Sequence, residues 1–180
     1  LDPRDEITTT RSAWPHDQAV RQFYALLRGR DLTRNQALEI VAHLVTESAW
    51  FQRDMGFNPA GWKANETWAN NYRAHHHNGP PWWRREGHSA SGDPEWCFYR
   101  AFASYGEFLD QWMPVYCPRP GSDPRARYAH AGGWFWLHDA MGWFAAILAA
   151  GYRGPDTQAH PEHSLDEHAS ILRTIGPWCP

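Results

Sequence analysis

The sequence predicts a mostly helical α+β domain in which a small irregular or β lobe is inserted between helices. Three observations lead there. Apolar residues recur at helical spacing towards both ends of the chain. Three Ser/Thr-x-x-Glu/Gln capping boxes mark helix starts. Between these segments, the stretch from Asp54 to about Ala103 follows neither helical nor strand periodicity and is rich in Gly, Pro, Asn, His and Trp.

The elements follow in order. Pro15, then Val20, Phe23, Tyr24 and Leu27, read as a first helix with Gly29 after its end. Thr33 and Gln36 form a capping box that opens a second helix, expected to run through about Phe51 with Ala37, Ile40, Val41, Leu44 and Val45 on its apolar face. Within the lobe, a small hairpin is expected around Trp82 to Arg100. Ser104 and Glu107 box a helix carrying Phe108, Leu109, Trp112, Met113 and Tyr116, which Pro114 is expected to kink or shorten. After a Pro/Gly-rich loop over 117–127, Trp134, Leu137, Met141, Phe144, Ala145 and Leu148 predict one apolar helix closed by Gly151. Ser164 and Glu167 then start a last helix bearing Leu165, Leu172 and Ile175.

A chain of 180 residues suits one domain, 1–180, and is long enough to fold around a core without staples. Its net charge of −3 supplies no general attraction to nucleic acid or to an anionic membrane, so neither is expected as a partner, and a monomer is expected. The most apolar segment, Phe135 to Ala150, is too short for a membrane span and is interrupted by His138 and Asp139. No stretch near the start resembles a signal peptide, and Leu1 in place of Met suggests a mature product or an excised fragment. Three cysteines, Cys97, Cys117 and Cys179, permit one disulfide, which would favour an extracytoplasmic site, or three reduced thiols. Their spacing fits no zinc motif.

Aromatic content stands out, with 12 Trp among 180 residues. Indole rings offer flat apolar faces that suit sugar rings and ordinary cores alike. Trp62, Trp68, Trp82 and Trp83 fall in the irregular lobe, where core packing demands less apolar area, and one or two of them are expected to touch glycan. Trp134, Trp136 and Trp143 fall at helical spacing and read as core.

Glu47 is the first chemical anomaly. Ile40, Leu44, Glu47 and Phe51 share one helical stripe, which places a carboxylate among apolar residues. Burial penalises the ionised form, so such a group tends to hold its proton, as a general acid must. The alternative is a helix-end carboxylate that reaches solvent at the edge of the stripe. His75, His76 and His77 invite a metal reading, but three consecutive histidines cannot all face one ion from a regular element. No metal and no cofactor is expected, and no phosphate loop or Ser/His/Asp arrangement is present.

Motif order adds a resemblance. Glu47-Ser48-Ala49-Trp50 is followed by Phe57-Asn58-Pro59-Ala60-Gly61-Trp62-Lys63-Ala64, then by Tyr99-Arg100-Ala101-Phe102-Ala103-Ser104-Tyr105-Gly106-Glu107, then by Gly151-Tyr152-Arg153-Gly154-Pro155-Asp156. This series resembles the glucosaminidase family of peptidoglycan hydrolases (glycoside hydrolase family 73), with its E-S-x-W, N-x-x-G-x-K-A, F-R-x-Y-x-S-x-x-E and G-Y-A-T-D-P segments. The resemblance covers roughly Leu32 to Ile175. The first and third segments differ at aromatic positions, and the last lacks its usual Ala-Thr.

The resemblance implies a lysozyme-like fold, with a cleft between the helices and the inserted lobe. It implies hydrolysis of the β-1,4 bond between N-acetylglucosamine and N-acetylmuramic acid, on peptidoglycan strands outside the cytoplasm and without a cofactor. Glu47 corresponds to the family's acid. A second carboxylate about thirteen residues before the third motif corresponds to Glu86, as base or electrostatic stabiliser; Asp93, Glu95 and Glu66 are rivals in the same lobe. A solvated Glu86 paired with Arg84 or Arg85 is the competing reading. Tyr152 matches a tyrosine implied to line the cleft, against a simple role after a helix end. Asn58 and Gly61 lie on the motif loop, where Asn58 is either a substrate contact or, through its own turn, structural. A lytic transglycosylase or muramidase-type activity on the same fold, and a non-catalytic glycan-binding or structural module, are the rival functions.

Overall fold

The computed structural model describes residues 16–51, 56–68, 70, 82–88, 94–152 and 161–180, with backbone alone for 82–88 and 94–96. The described part is mostly helical: α1 (His16–Arg28), α2 (Arg34–Ser48), α3 (Tyr105–Tyr116), α4 (Ala129–Leu137), α5 (Trp143–Ala149) and α6 (Pro161–Ile175), the last followed by a 3₁₀ turn, Gly176–Trp178. Strands β1 (Trp82–His88) and β2 (Pro94–Arg100) form the expected hairpin, antiparallel with Trp82 opposite Arg100 and Glu86 opposite Trp96. The described residues pack as two compact units, one within Glu47–Phe108 and one made of the segments up to Thr46 and from Leu109 to Pro180.

The helical unit is built on α2. Residues Ala37, Ile40, Val41, Ala42, His43 and Leu44 are all completely buried, so this stretch is apolar on nearly every side, as a central helix must be. Its start is fixed by the predicted capping box: the Gln36 amide N–H reaches the Thr33 hydroxyl at 3.1 Å, and the Thr33 N–H reaches the Gln36 side-chain oxygen at 2.9 Å. Gln36 also donates to the Phe135 carbonyl at 2.9 Å, which ties the α2 N-terminus to α4. The α1 face of Val20, Phe23, Tyr24 and Leu27 is buried as the periodicity predicts, and the Gly29 N–H closes the helix on the Ala25 carbonyl.

The helices after the lobe add detail to the expectation, and two of its readings fail. Pro114 does not end α3, which runs on to Tyr116; a proline in the last turn removes one N–H, and the Cys117 N–H still closes on the Met113 carbonyl at 2.7 Å. The single apolar helix expected from Trp134 to Leu148 is two, α4 and α5, broken at His138–Gly142 where Asp139, Ala140 and Gly142 have φ of 52°, 63° and 86°. The Asp139 carboxylate explains the break, since it accepts from the Thr33 hydroxyl and, at 2.6 Å, from the Asn35 amide. Leu137 and Met141, expected on the buried stripe, are instead 68% and 71% exposed. Finally, α6 begins at Pro161, so Ser164 lies inside its first turn and its buried face is Ser164, His168, Ile171 and Ile175, with Leu165 exposed. His168 stacks on Phe144, ring centroids 4.0 Å apart, and its Nε2 lies 2.7 Å from the Glu39 carboxylate.

All three cysteines are buried free thiols. No described helix is long and apolar enough to cross a membrane.

Candidate functional site

Glu47 stands in the last turn of α2 and is half-buried, on the stripe of the fully buried Ile40 and Leu44. The helix ends at Ser48, three residues before the sequence suggested. Ala49, Trp50 and Phe51 then follow with φ of 48°, 61° and 61°, three successive non-glycine residues in the left-handed region. Each costs about 1 kcal/mol or more, and such strain persists only where the surroundings impose it. Part of that restraint is visible: the Phe51 N–H donates to the Ser48 hydroxyl at 2.8 Å, and both residues are 2% exposed. Phe51 thus stays in the core although it is no longer helical.

The loop after it joins two of the sequence motifs. Asn58 is 2% exposed, and its side chain is wholly engaged by backbone. Its amide group donates to the carbonyls of Trp62 and Arg100, both at 2.9 Å, while its oxygen accepts from the Trp62 N–H at 2.9 Å. Further bonds lay the segment along β2: Arg100 N–H to Trp62 carbonyl, Ala64 N–H to Phe98 carbonyl, and a bridge pairing Lys63 with Tyr99. Tyr99 therefore pairs with Trp83 on one side and with Lys63 on the other. The asparagine loop and the Tyr99-Arg100 motif, 42 residues apart at their Asn58–Arg100 bond, form one piece of structure. Gly61, with φ of 58°, supplies the left-handed turn between them.

The two described lobe tryptophans sit against the same strand end. The Arg100 guanidinium lies 3.5 Å from the Trp62 ring centroid and 5.3 Å from that of Trp68, and its Nε donates to the Lys63 carbonyl at 3.2 Å. Phe102 stacks on Trp62 with centroids 6.5 Å apart and meets Trp68 edge-on at 6.0 Å. Asn65 caps the helical turn that carries Trp68, its side-chain oxygen accepting the Trp68 N–H at 2.8 Å. Both rings remain half-exposed. Glu66 begins that turn and is exposed.

Glu86, Trp82 and Trp83 have their backbone in β1, and Glu95 in β2, but their side chains lie outside the described residues; so do Asp93 and His75–His77 entirely. Among the described residues, no group of three His, Cys, Asp or Glu side chains is arranged to hold a metal ion.

In the helical unit, Tyr152 follows α5. The Gly151 N–H bonds the Leu148 carbonyl at 2.8 Å and the Tyr152 N–H bonds the Ile147 carbonyl at 3.2 Å, the paired closure of a Schellman cap with Gly151 at φ 84°. Arg127 holds the same turn through the carbonyls of Ala150, at 2.8 Å, and Gly151. This cap aims the half-buried Tyr152 ring at His43, 4.8 Å away edge-to-face, and at Tyr116, 5.5 Å away. His43 is fully buried, with Trp112, Trp143 and Phe144 also around it at 5.7–5.8 Å. Sequence reasoning passed over this histidine. Its signal was available: a polar residue inside the apolar run Val41-Ala42-His43-Leu44-Val45, four residues before Glu47 and so on the same helix face. Arg100 was likewise read only as a motif letter, although an arginine between tryptophan-bearing segments is suited to stacking.

A mostly helical fold with one small hairpin is the lysozyme-like architecture that the motifs implied, and it is the fold of a glycoside hydrolase domain. The chain is similar to a solved structure of a C-terminally truncated glycoside hydrolase domain of FlgJ from Salmonella typhimurium, at a TM-score of 0.54 and 16% identity, over 91% of this chain and 99% of that one. At that identity the likeness is one of fold. No protein-family model matches the sequence, and no curated protein matches it.

Proposed function

We propose that this chain is a glycosidase of bacterial peptidoglycan, cleaving the β-1,4 bond between N-acetylglucosamine and N-acetylmuramic acid, with Glu47 as general acid. The observation that carries the reading is Glu47 itself: a half-buried carboxylate in the final helical turn of α2, followed by three strained residues, in a chain that folds like a glycoside hydrolase domain. Glu47 would protonate the departing sugar oxygen. Glu86 would activate water or stabilise the oxocarbenium-like state, and Tyr152 would help to position the reacting sugar. Trp68, Trp82 and Trp83 would offer apolar faces to the glycan strand, and Trp62 the ring surface that Arg100 leaves uncovered, while Asn58 acts by holding the loop that carries Trp62. The reaction needs no cofactor, and the enzyme would act outside the cytoplasmic membrane, where its substrate lies.

Digestion of purified peptidoglycan by the parent and by Glu47→Gln, with products reduced by borohydride and read by mass spectrometry, tests the reading. Reducing-end N-acetylglucosamine from the parent, with a rate loss of about 10²–10⁴-fold in the variant, is the expected result. Anhydro-muramyl products would make the protein a lytic transglycosylase. Cleavage that is absent, or that does not depend on Glu47, would sink the proposed activity and leave a glycan-binding module as the better account of the fold.

A further inference from the structure

A cleft wholly within the helical unit is not used by this chemistry. Its volume is about 380 Å³, at the small end of the range for ligand pockets and enough for an amino-acid residue with part of a neighbour. The floor is apolar: Leu32, Leu109 and Cys117 are at most 2% exposed, and burial pushes the Cys117 thiol well above its ordinary range, so the floor carries no charge at neutral pH. The mouth is different. Arg119 is exposed, and its guanidinium lies 3.4 Å from the centroid of the Trp136 ring. Trp136 is itself fixed, because its indole N–H donates to the Cys117 carbonyl at 2.8 Å.

A stacked guanidinium keeps its N–H edge directed outward in the fork that matches a carboxylate. Among the described residues the Arg119 side chain has no hydrogen bond and no ion pair. The carboxylate that shares the cleft, Asp110, is already 3.0 Å from Arg30, so it does not neutralise Arg119.

We infer that this cleft binds the C-terminal carboxylate of a short peptide, or of an N-acyl amino acid, whose last side chain is apolar. The carboxylate pairs with Arg119, and the side chain lies against Met113 and Pro114, above the floor of Leu32 and Leu109. This inference is independent of the proposed glycosidase activity.

The test is titration of the full chain with N-acetyl-L-leucine, following the Trp136 indole N–H by nuclear magnetic resonance and assigning it with Trp136→Phe. N-acetyl-L-leucinamide, which keeps the body and loses the charge, serves as the comparison. A saturable shift is expected, with affinity about tenfold or more weaker for the amide and for Arg119→Ala, and intermediate for Arg119→Lys, which keeps charge but not the fork. Glu47→Gln should titrate like the parent, which separates this outcome from any failure of the glycosidase reading. Equal affinity for acid and amide, an unchanged Arg119→Ala, or no saturable shift at millimolar probe would each overturn the assignment. The acid–amide comparison is made on the parent protein and does not depend on any variant folding.

Discussion

Replacement of Asn58 by alanine tests how much one side chain adds to the main-chain bonds that join the asparagine loop to the Tyr99-Arg100 motif. The substitution removes three hydrogen bonds of 2.9 Å, from a residue that is 2% exposed, and leaves the Trp62 N–H and the Arg100 carbonyl without this partner, while the Trp62 carbonyl keeps the Arg100 N–H. A typical bond contributes about 1 kcal/mol net, and an abandoned buried group costs about 1–3 kcal/mol. Allowing for water entering a loop whose neighbour Gly61 is exposed, a loss of about 3 kcal/mol follows. For a chain of this size that lowers the melting temperature by about 6–12 °C. Asn58→Asp should be no better, because it restores one acceptor and directs negative charge at two carbonyls. Calorimetry or circular dichroism measures the shift, and amide exchange at Trp62 locates it. A change below about 1 kcal/mol, or protection at Trp62 that survives in Asn58→Ala, would refute the claim that this side chain joins the two motifs.

Neighbouring glycines in α4 should respond with opposite signs. A Cβ on Gly132 would lie 2.1 Å from the Pro118 carbonyl oxygen, whereas one on Gly133 meets nothing within 4 Å. Gly132→Ala is therefore expected to destabilise by about 3 kcal/mol or more, and Gly133→Ala to stabilise by about 0.5–1 kcal/mol, by urea denaturation. Stability should also fall on the alkaline side. Burial raises the Cys117 and Cys179 thiols in the folded state, so their contribution is complete below the unfolded value of about 8.5 and is lost as pH climbs towards the folded values. A thiol adds a slope of at most about 1.4 kcal/mol per pH unit in that window, the larger share from Cys117, and Cys117→Ala should make the pH profile above it shallower.

What was legible in the sequence was local. The ends of α1, the Thr33–Gln36 box and the hairpin each depend on residues a few positions apart, and each is found where expected. The His138–Gly142 break was illegible because its cause is remote: Asp139 is held by Thr33 and Asn35, more than 100 residues earlier, and that contact outweighs the helical preference of Leu137 and Met141. The α2 terminus failed for a related reason, since Ser48 and its bond to the Phe51 N–H turn the chain where apolar spacing alone would carry it on. Within the candidate site, the position of Glu47 on the apolar stripe could be read from spacing. The aromatic enclosure of His43 could not, as Trp112, Trp143, Phe144 and Tyr152 come from three later segments of chain. Composition overstated what Trp62 offers a sugar: a guanidinium 3.5 Å from its centroid already covers ring surface that a glycan would use.

The strain after Glu47 admits a sharper test than any contact near it. If Ala49, Trp50 and Phe51 adopt left-handed backbone only because the core happens to close that way, relieving one of them should stabilise the protein and change nothing else. Ala49 is the residue to choose, since it is half-exposed and losing its methyl group sacrifices little packing. Glycine removes a penalty of about 1–2 kcal/mol at φ 48° and restores about 0.4–1 kcal/mol of unfolded-state entropy, so Ala49→Gly should gain about 0.5–1 kcal/mol and raise the melting temperature by about 1–4 °C. Should the strained turn serve to hold Glu47, the same variant loses several-fold in peptidoglycan cleavage while it gains stability, because a glycine there lets the last turn of α2 fray. A protein that is both more stable and fully active would show that the strain is a by-product of packing, and that Glu47 is positioned by α2 alone.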